Sequence, residues 1–314
     1  MKVASSGGIA IKLEDKWILL DPISSPGIRP DVILISHAHR DHYNLNVLRT
    51  FYDVPLVASK ETFNIIVQGG YLRNRKVFRM EDGEEIEVEG VHIRAENAGH
   101  IPGSLQYVIN EKVVFTGDFC LEERNVLKPA KIIEGEVLII DSTYGRPPYI
   151  FPERRELYER IERLVREKCA EHGYAYIVAR SPGVAQELVR LFMDKSYPLL
   201  VHINVFRYAR YFGIKSDFTV ISGITVSEGV HIYPYRLKNK LRKIDENTIV
   251  VTGWAAGWND PYSLPLSSHS DFEHLVKYVL ESGAKKVYTV WGNARSFSKI
   301  LRDMGFESHQ IALR

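Results

Sequence analysis

The chain has 314 residues, 45% hydrophobic and 25% charged, with a formal net charge of +2. That composition is ordinary for a globular protein, with length for one large core or two smaller ones. The charge neither requires nor excludes a nucleic-acid partner, since a local basic groove is compatible with a balanced total. Cys120 and Cys169 are the two cysteines, too few for a disulfide framework and without a metal-type spacing. The N-terminus lacks a secretory layout, and no apolar run approaches the roughly 20 residues of a membrane span. The expected location is therefore cytoplasmic.

In chain order, GIAIKL and KWILLD read as a hairpin turning at Glu14-Asp15. DVILIS and PLVAS are further strands, with VLRTFYD and KETFNIIVQGG as helices. EIEVEGVHIRAEN alternates apolar and polar residues around a turn at Glu89-Gly90, and LQYVIN, VVFTGD and EVLIID follow as strands. From Pro152 the pattern changes. ERRELYERIERLVREKCAEHG sets Leu157, Ile161, Leu164 and Val165 at helical spacing, with a glycine just past its end. YAYIVA, PLLVHI, FTVIS, VHIYP and TIVVTG read as strands, and SPGVAQELVRLFM as a helix. DFEHLVKYVLESG, KKVYTVWG and ARSFSKILRDMG close the chain as helix, strand and helix. Strand-helix alternation predicts a parallel α/β layer, and the middle reads as an insertion into one continuous domain.

ISHAHRDHYN crowds His37, His39, Asp41 and His42 into one turn, directly after the apolar strand DVILIS. Imidazole and carboxylate are ligands for a borderline-soft divalent cation such as zinc. His37 and His39 can converge on one ion, while Asp41 and His42 face a second. Further candidates are His100, in ENAGHIPGS, and Asp118, at the end of the strand in VVFTGDF. His92, His172, His202, His231, His274 and His309 have no ligand spacing and read as structural or exposed.

The order H-x-H-x-D-H, AGH, TGD resembles the metallo-β-lactamase fold. The resemblance implies that His37, His39 and His100 hold one zinc, that Asp41 and His42 serve a second, and that Asp118 bridges them. Two cations would then activate a water and clamp an oxyanion. Three later stretches resemble the β-CASP nuclease branch: LIIDSTYG, with Asp141 at the acidic position; ARSPGVAQELVRLF, matching its "AQEL" helix; and PLSSHSDFEHL, with His269 at its S-x-H-x-D histidine. VTGWA also resembles a "TGW" of the DNA-processing members. The implied fold is α/β, an αββα metallo-β-lactamase sandwich with an inserted α/β β-CASP domain. The expected boundaries are residues 1–141, 142–259 and 260–314. The implied roles are catalytic for Asp41, His269 and Asp141: His269 assists the leaving oxygen, and Asp141 orients a ligand or His269. At Ser181-Pro182-Gly183, a proline at the first helical position with free amides would make a phosphate cradle, and Arg180 could add a contact; an ordinary helix start fits the same residues.

One position departs from the RNA-processing members, which carry a metal-ligating histidine in "V-H-G". Here YTVWGN places Trp291, or Val290 if the strand shifts by one, where neither can bind zinc. The expected centre has one tight zinc and one weaker site, where manganese is also an option. This departure, with TGWA, favours DNA over RNA. The leading expectation is a 5′→3′ exonuclease on single-stranded nucleic acid; endonucleolytic cleavage and RNA processing are compatible with the same residues. A small-molecule hydrolase is disfavoured by the inserted lobe, and a non-catalytic scaffold by the nearly intact ligand set.

Overall fold

The computed structural model describes residues 1–67, 75–215 and 218–313. Six strands open the chain: β1 (Lys2–Ser5), β2 (Ile9–Leu13), β3 (Lys16–Leu20), β4 (Val32–Leu34), β5 (Leu56–Ser59) and β6 (Val77–Met80). They form one sheet in chain order, antiparallel across β1 to β3 and parallel from β3 to β6. Helices α1 (Leu45–Thr50) and α2 (Lys60–Ile66) follow β4 and β5. Asn44 and Ser59 cap them through side-chain oxygens. The end of KETFNIIVQGG, Gln68 to Gly70, lies outside the described residues.

Five more strands follow: β7 (Glu85–Val88), β8 (Val91–Asn97), β9 (Leu105–Ile109), β10 (Val113–Phe115) and β11 (Val137–Asp141). The chain then runs through α3 (Arg154–His172), β12 (Tyr174–Ala179), α4 (Val184–Phe192), β13 (Leu199–His202), α5 (Ile203–Ala209), β14 (Thr219–Ile221) and β15 (Gly229–Pro234). It continues with α6 (Lys238–Leu241), β16 (Ile249–Val251) and β17 (Ser263–Leu264), and closes with α7 (Phe272–Glu281), β18 (Lys286–Val290), α8 (Ala294–Asp303) and β19 (Glu307–Gln310).

Two compact units result. The first holds residues 1–121, 129–146 and 272–314; the second holds 122–128 and 147–271. The divisions at Arg146 and Asp271 fall 5 and 12 residues beyond the expected 141 and 259, and the short Glu122–Lys128 segment groups with the insertion.

In the first unit the second sheet has the order β19-β18-β11-β10-β9-β8-β7. Ile9, Ile11, Ile18 and Leu20 from the first sheet share a core with Ile93, Tyr107, Phe115 and Ile139 from the second, so the two sheets pack face to face. The opposite face of the second sheet presents Val108, Val114, Leu138 and Ile140 to Leu275, Tyr278, Phe297 and Leu301 of α7 and α8. Central strands β9 to β11 are thus buried on both sides, which explains their unbroken apolar runs. Strand β8 alternates instead, burying Val91, Ile93 and Ala95 while Arg94 pairs with Glu96.

The second unit is one parallel sheet, β14-β13-β15-β12-β16-β17. Glu187 of α4 is fully buried and anchors it. Its carboxylate accepts from Arg124 at 2.9 Å, from Arg154 at 2.5 Å and from the Tyr158 hydroxyl at 2.5 Å. Burial pushes this carboxyl up, but Arg124 and Arg154 outweigh it and leave it below its ordinary range. Arg154 also reaches Glu122 at 2.7 Å and the Ser267 carbonyl at 2.8 Å.

Candidate metal centre

Four loops of the first unit bring the site together, each leaving the end of a buried strand. β3 leads to Asp21, β4 leads through Ser36 into the histidine turn, β8 leads to His100, and β10 leads to Asp118. Backbone hydrogen bonds tie these loops: Leu105 N to Ser36 O at 2.9 Å, and Cys120 N to Ala98 O at 2.9 Å. The bend before Asp118 needs Gly117, whose φ is +54°, and a Cβ there would stand 2.5 Å from the Ser36 Cβ.

His37, His39, His100 and Asp118 converge and are all buried. His37 Nε2 lies 3.0 Å from His39 Nδ1, which lies 3.0 Å from His100 Nε2. Asp118 Oδ2 lies 3.4 Å from His37 Nε2 and 3.5 Å from His100 Nε2. Ligands about 2.0–2.1 Å from a tetrahedral zinc sit about 3.3 Å from one another. The spacing and the donor set therefore fit a divalent cation of that kind. His42 Nε2 faces the same Asp118 oxygen at 3.4 Å.

Asp21 was not anticipated, and it organises the centre. Its carboxylate accepts from Ser36 N at 2.7 Å, from Ser36 Oγ at 2.6 Å and from His42 Nδ1 at 2.7 Å. A carboxylate only accepts, so His42 carries a proton on Nδ1 and turns its Nε2 edge toward Asp118. Ser36 Oγ spends its proton on Asp21 and accepts from His37 Nδ1 at 3.0 Å, which leaves His37 Nε2 as a lone pair. Asp21 thus orients the His42 ring directly and fixes the His37 tautomer through Ser36, the usual task of a group behind a metal ligand. The available signal was an aspartate closing an apolar strand, KWILLD, as in VVFTGD. Asp21→Ala is expected to weaken divalent-cation binding about 10- to 100-fold; calorimetric titration with zinc checks it, and unchanged affinity would refute the assignment.

Burial drives His37 well below its ordinary value, aided by the charge of nearby His42 and opposed by Asp118. Burial also lowers His42, but the Asp118 and Asp21 carboxylates outweigh it and hold His42 well above 6.5.

The other expected site residues fall as follows. Asp41 is exposed, and neither cluster of the first unit, His37-His39-His100-Asp118 or Asp21-His37-His42, includes it. Asp141 is fully buried at the end of β11; a carboxylate oxygen lies within 4.8 Å of one on Asp118, and its Oδ1 accepts from Thr143 N and Oγ1 at 2.8 and 2.7 Å. Trp291 follows β18 with φ +61°, and its indole lies against His42 with ring centroids 4.5 Å apart. Its buried Nε1 has no hydrogen-bond partner. His269 lies in the second unit, buried, with its amide donating to Ser267 Oγ at 3.1 Å.

At the expected phosphate cradle, Pro182 precedes α4 by two residues and is not its first helical residue. The Gly183 amide donates to Gln186 Oε1 at 2.8 Å, and Gln186 Nε2 donates to Ser181 Oγ at 2.9 Å. The glutamine side chain thus takes up the polar groups that a phosphate would need. Arg180 is exposed.

Two packed sheets with helices outside them, and a His-Asp cluster at the strand ends, match the αββα metallo-β-lactamase fold that the sequence resembles. Residues 15–151 match the beta-lactamase superfamily domain. Among similar proteins, one from Opitutus terrae named a probable DNA ligase is 27% identical over 88% of this chain and 28% of its own length. The RNase aCSPSF2 of Saccharolobus solfataricus is 33% identical over 39% of this chain and 26% of its length. The human DNA cross-link repair 1A protein is 23% identical over 87% of this chain and 30% of its length. The chain therefore spans under a third of the length of these relatives, whose names refer to DNA ligation, RNA cleavage and DNA cross-link repair. A crystal structure of a protein of unknown function from Enterococcus faecalis V583 shares the fold, with a TM-score of 0.66, 14% identity and 99% and 97% of the two chains covered. No helix among the described residues is long and apolar enough to cross a membrane.

Proposed function

We propose that the protein is a metal-dependent nuclease that hydrolyses phosphodiester bonds of single-stranded nucleic acid, 5′→3′ and with DNA preferred. The observation that carries this reading is the convergence of three imidazole nitrogens and one carboxylate, with the His37 ring fixed by Asp21 through Ser36. A divalent cation held there, zinc in the tighter site and zinc or manganese in a weaker one, would supply Lewis acidity toward a phosphoryl group and acidify water.

The chain's own groups do the rest. Burial and the Ser36 hydrogen bond fix the His37 ring with its Nε2 lone pair inward, and the buried His39 and His100 bring a nitrogen to within 3.0 Å of one another. Asp118 supplies the negative charge that offsets a cation and accepts a proton from the attacking water. His42 and exposed Asp41 serve the weaker site. Trp291, a donor-only side chain beside His42, offers that site no ligand. His269 gives a proton to the leaving oxygen, with Asp141 as an orienting carboxylate. Arg180, Ser181 and Gly183 contribute little to phosphate binding, since Gln186 engages the latter two. Relatives named for RNA and for DNA work are both similar to this chain, and the preference for DNA rests on Trp291 and the TGWA stretch.

The test is cleavage of matched single-stranded DNA and RNA labelled at the 5′ or the 3′ end, with added zinc or manganese. Release of labelled mononucleotide from the 5′ end, faster on DNA and abolished by a chelator, is the expected result. His269→Ala should slow turnover by about 10²- to 10⁴-fold while metal content holds. Intact polymers in the presence of bound metal would overturn the reading.

A further inference from the structure

The second unit exposes two large aromatic faces. Trp254 and Trp258 are 37% and 38% accessible, at the 3-10 turn Gly253–Gly257 and the residue after it. The turn is propped from inside: Trp254 meets Tyr149 edge-on at 5.2 Å, and the Gly257 Cβ position lies 3.8 Å from Pro148. A groove of about 570 Å³ beside it is lined by Trp258, Asn259, Arg160, Ile150 and Pro152 among others.

Most of the charge beside these rings comes from one basic stretch, with Asp260 also lining the groove. The stretch Tyr235–Lys243, YRLKNKLRK, holds Arg236, Lys238, Lys240, Arg242 and Lys243 and no acidic residue. Lys238 Nζ stands 5.1 Å over the Trp258 ring. Arg242 binds Asp260 and, at 3.3 Å, Ser263, fastening the basic stretch to the loop that follows Trp258 and spending the Asp260 charge internally. Arg236, Lys240 and Lys243 are exposed.

We propose that this face binds single-stranded nucleic acid, with Trp258 and Trp254 stacking on bases and Arg236, Lys240 and Lys243 meeting phosphates. Every base has a π face, so stacking holds a strand without reading its sequence, while cations follow the backbone. A protein partner fits the face less well, because protein interfaces are depleted in lysine. The proposal rests on the nuclease reading and adds to it a holding surface built wholly within the second unit.

Binding of a fluorescent thymidine homo-oligomer of about a dozen nucleotides, followed by anisotropy with chelator present, tests it. Trp258→Ala should weaken binding by about 5- to 100-fold. Trp258→Phe, which keeps a stacking face, should stay close to wild type. Replacing Arg236, Lys240 and Lys243 together by alanine should reduce the slope of log affinity against log salt by about 2. Wild-type affinity and salt slope in all variants, with cleavage retained, would overturn the surface and leave the nuclease reading standing. Absence of binding and cleavage by the wild type would overturn both. Self-association of the wild type that Trp258→Ala abolishes, without any change in oligomer binding, would instead make the face a protein contact.

Discussion

Replacing Asp118 by asparagine is expected to lower phosphodiester hydrolysis by about 10³-fold or more, equivalent to roughly 4 kcal/mol of lost transition-state stabilisation. The amide keeps the size of the side chain and removes its charge. Asp118 Oδ2 faces His37, His42 and His100 at 3.4–3.5 Å, so it is the anionic member shared by the three imidazoles. Without that charge a cation would meet a neutral donor set, and the amide could turn a hydrogen-bond donor toward nitrogen lone pairs. Metal content measured on the purified variant should fall with activity while its circular dichroism spectrum is unchanged. Retained hydrolysis would remove Asp118 from the centre.

The second large effect concerns stability. Glu187→Gln should destabilise the second unit by about 3–5 kcal/mol, because Arg124 would stay buried without its counter-charge and Arg154 would keep only Glu122. For a unit of this size that is a fall in melting temperature of about 6–20 °C. The pH dependence has a definite sign. The folded-state pKa of Glu187 is depressed, so its contribution is full above the unfolded carboxyl value of about 4.3 and is lost as pH falls through the folded value. The difference between wild type and variant should therefore shrink in acid. Melting curves from pH 7 to pH 3 decide it; equal stability at neutral pH would show the network to be dispensable.

Much of the metal centre was legible because its residue types are rare neighbours. Three histidines and an aspartate after a buried strand have few other uses, and His37, His39, His100 and Asp118 do meet. Asp21 was harder to see. One aspartate ending a strand is commonplace, and its role depends on Ser36 and His42 folding back onto it. The strands seen were those with apolar runs or clean alternation. β19 was missed because its sequence, Glu-Ser-His-Gln, offers neither, and only its parallel pairing to β18 makes it a strand. The Ser181-Gly183 turn looked receptive because its amides lack obvious partners in sequence; Gln186, three residues on, supplies one by bending back. Glu187 read only as a motif letter, since its partners Arg124 and Arg154 are 63 and 33 residues away.

The indole of Trp291, 4.5 Å from the His42 imidazole, also makes the centre optically legible. An excited indole donates electron density readily to a positively charged neighbour. Its emission should therefore follow the charge state of that imidazole, so that arrival of a cation, departure of a proton or a shift of the ring would each be read as a change in brightness. The side chain that withholds a ligand from the site thus doubles as an internal probe, and the filling of the centre can be timed in the unlabelled protein.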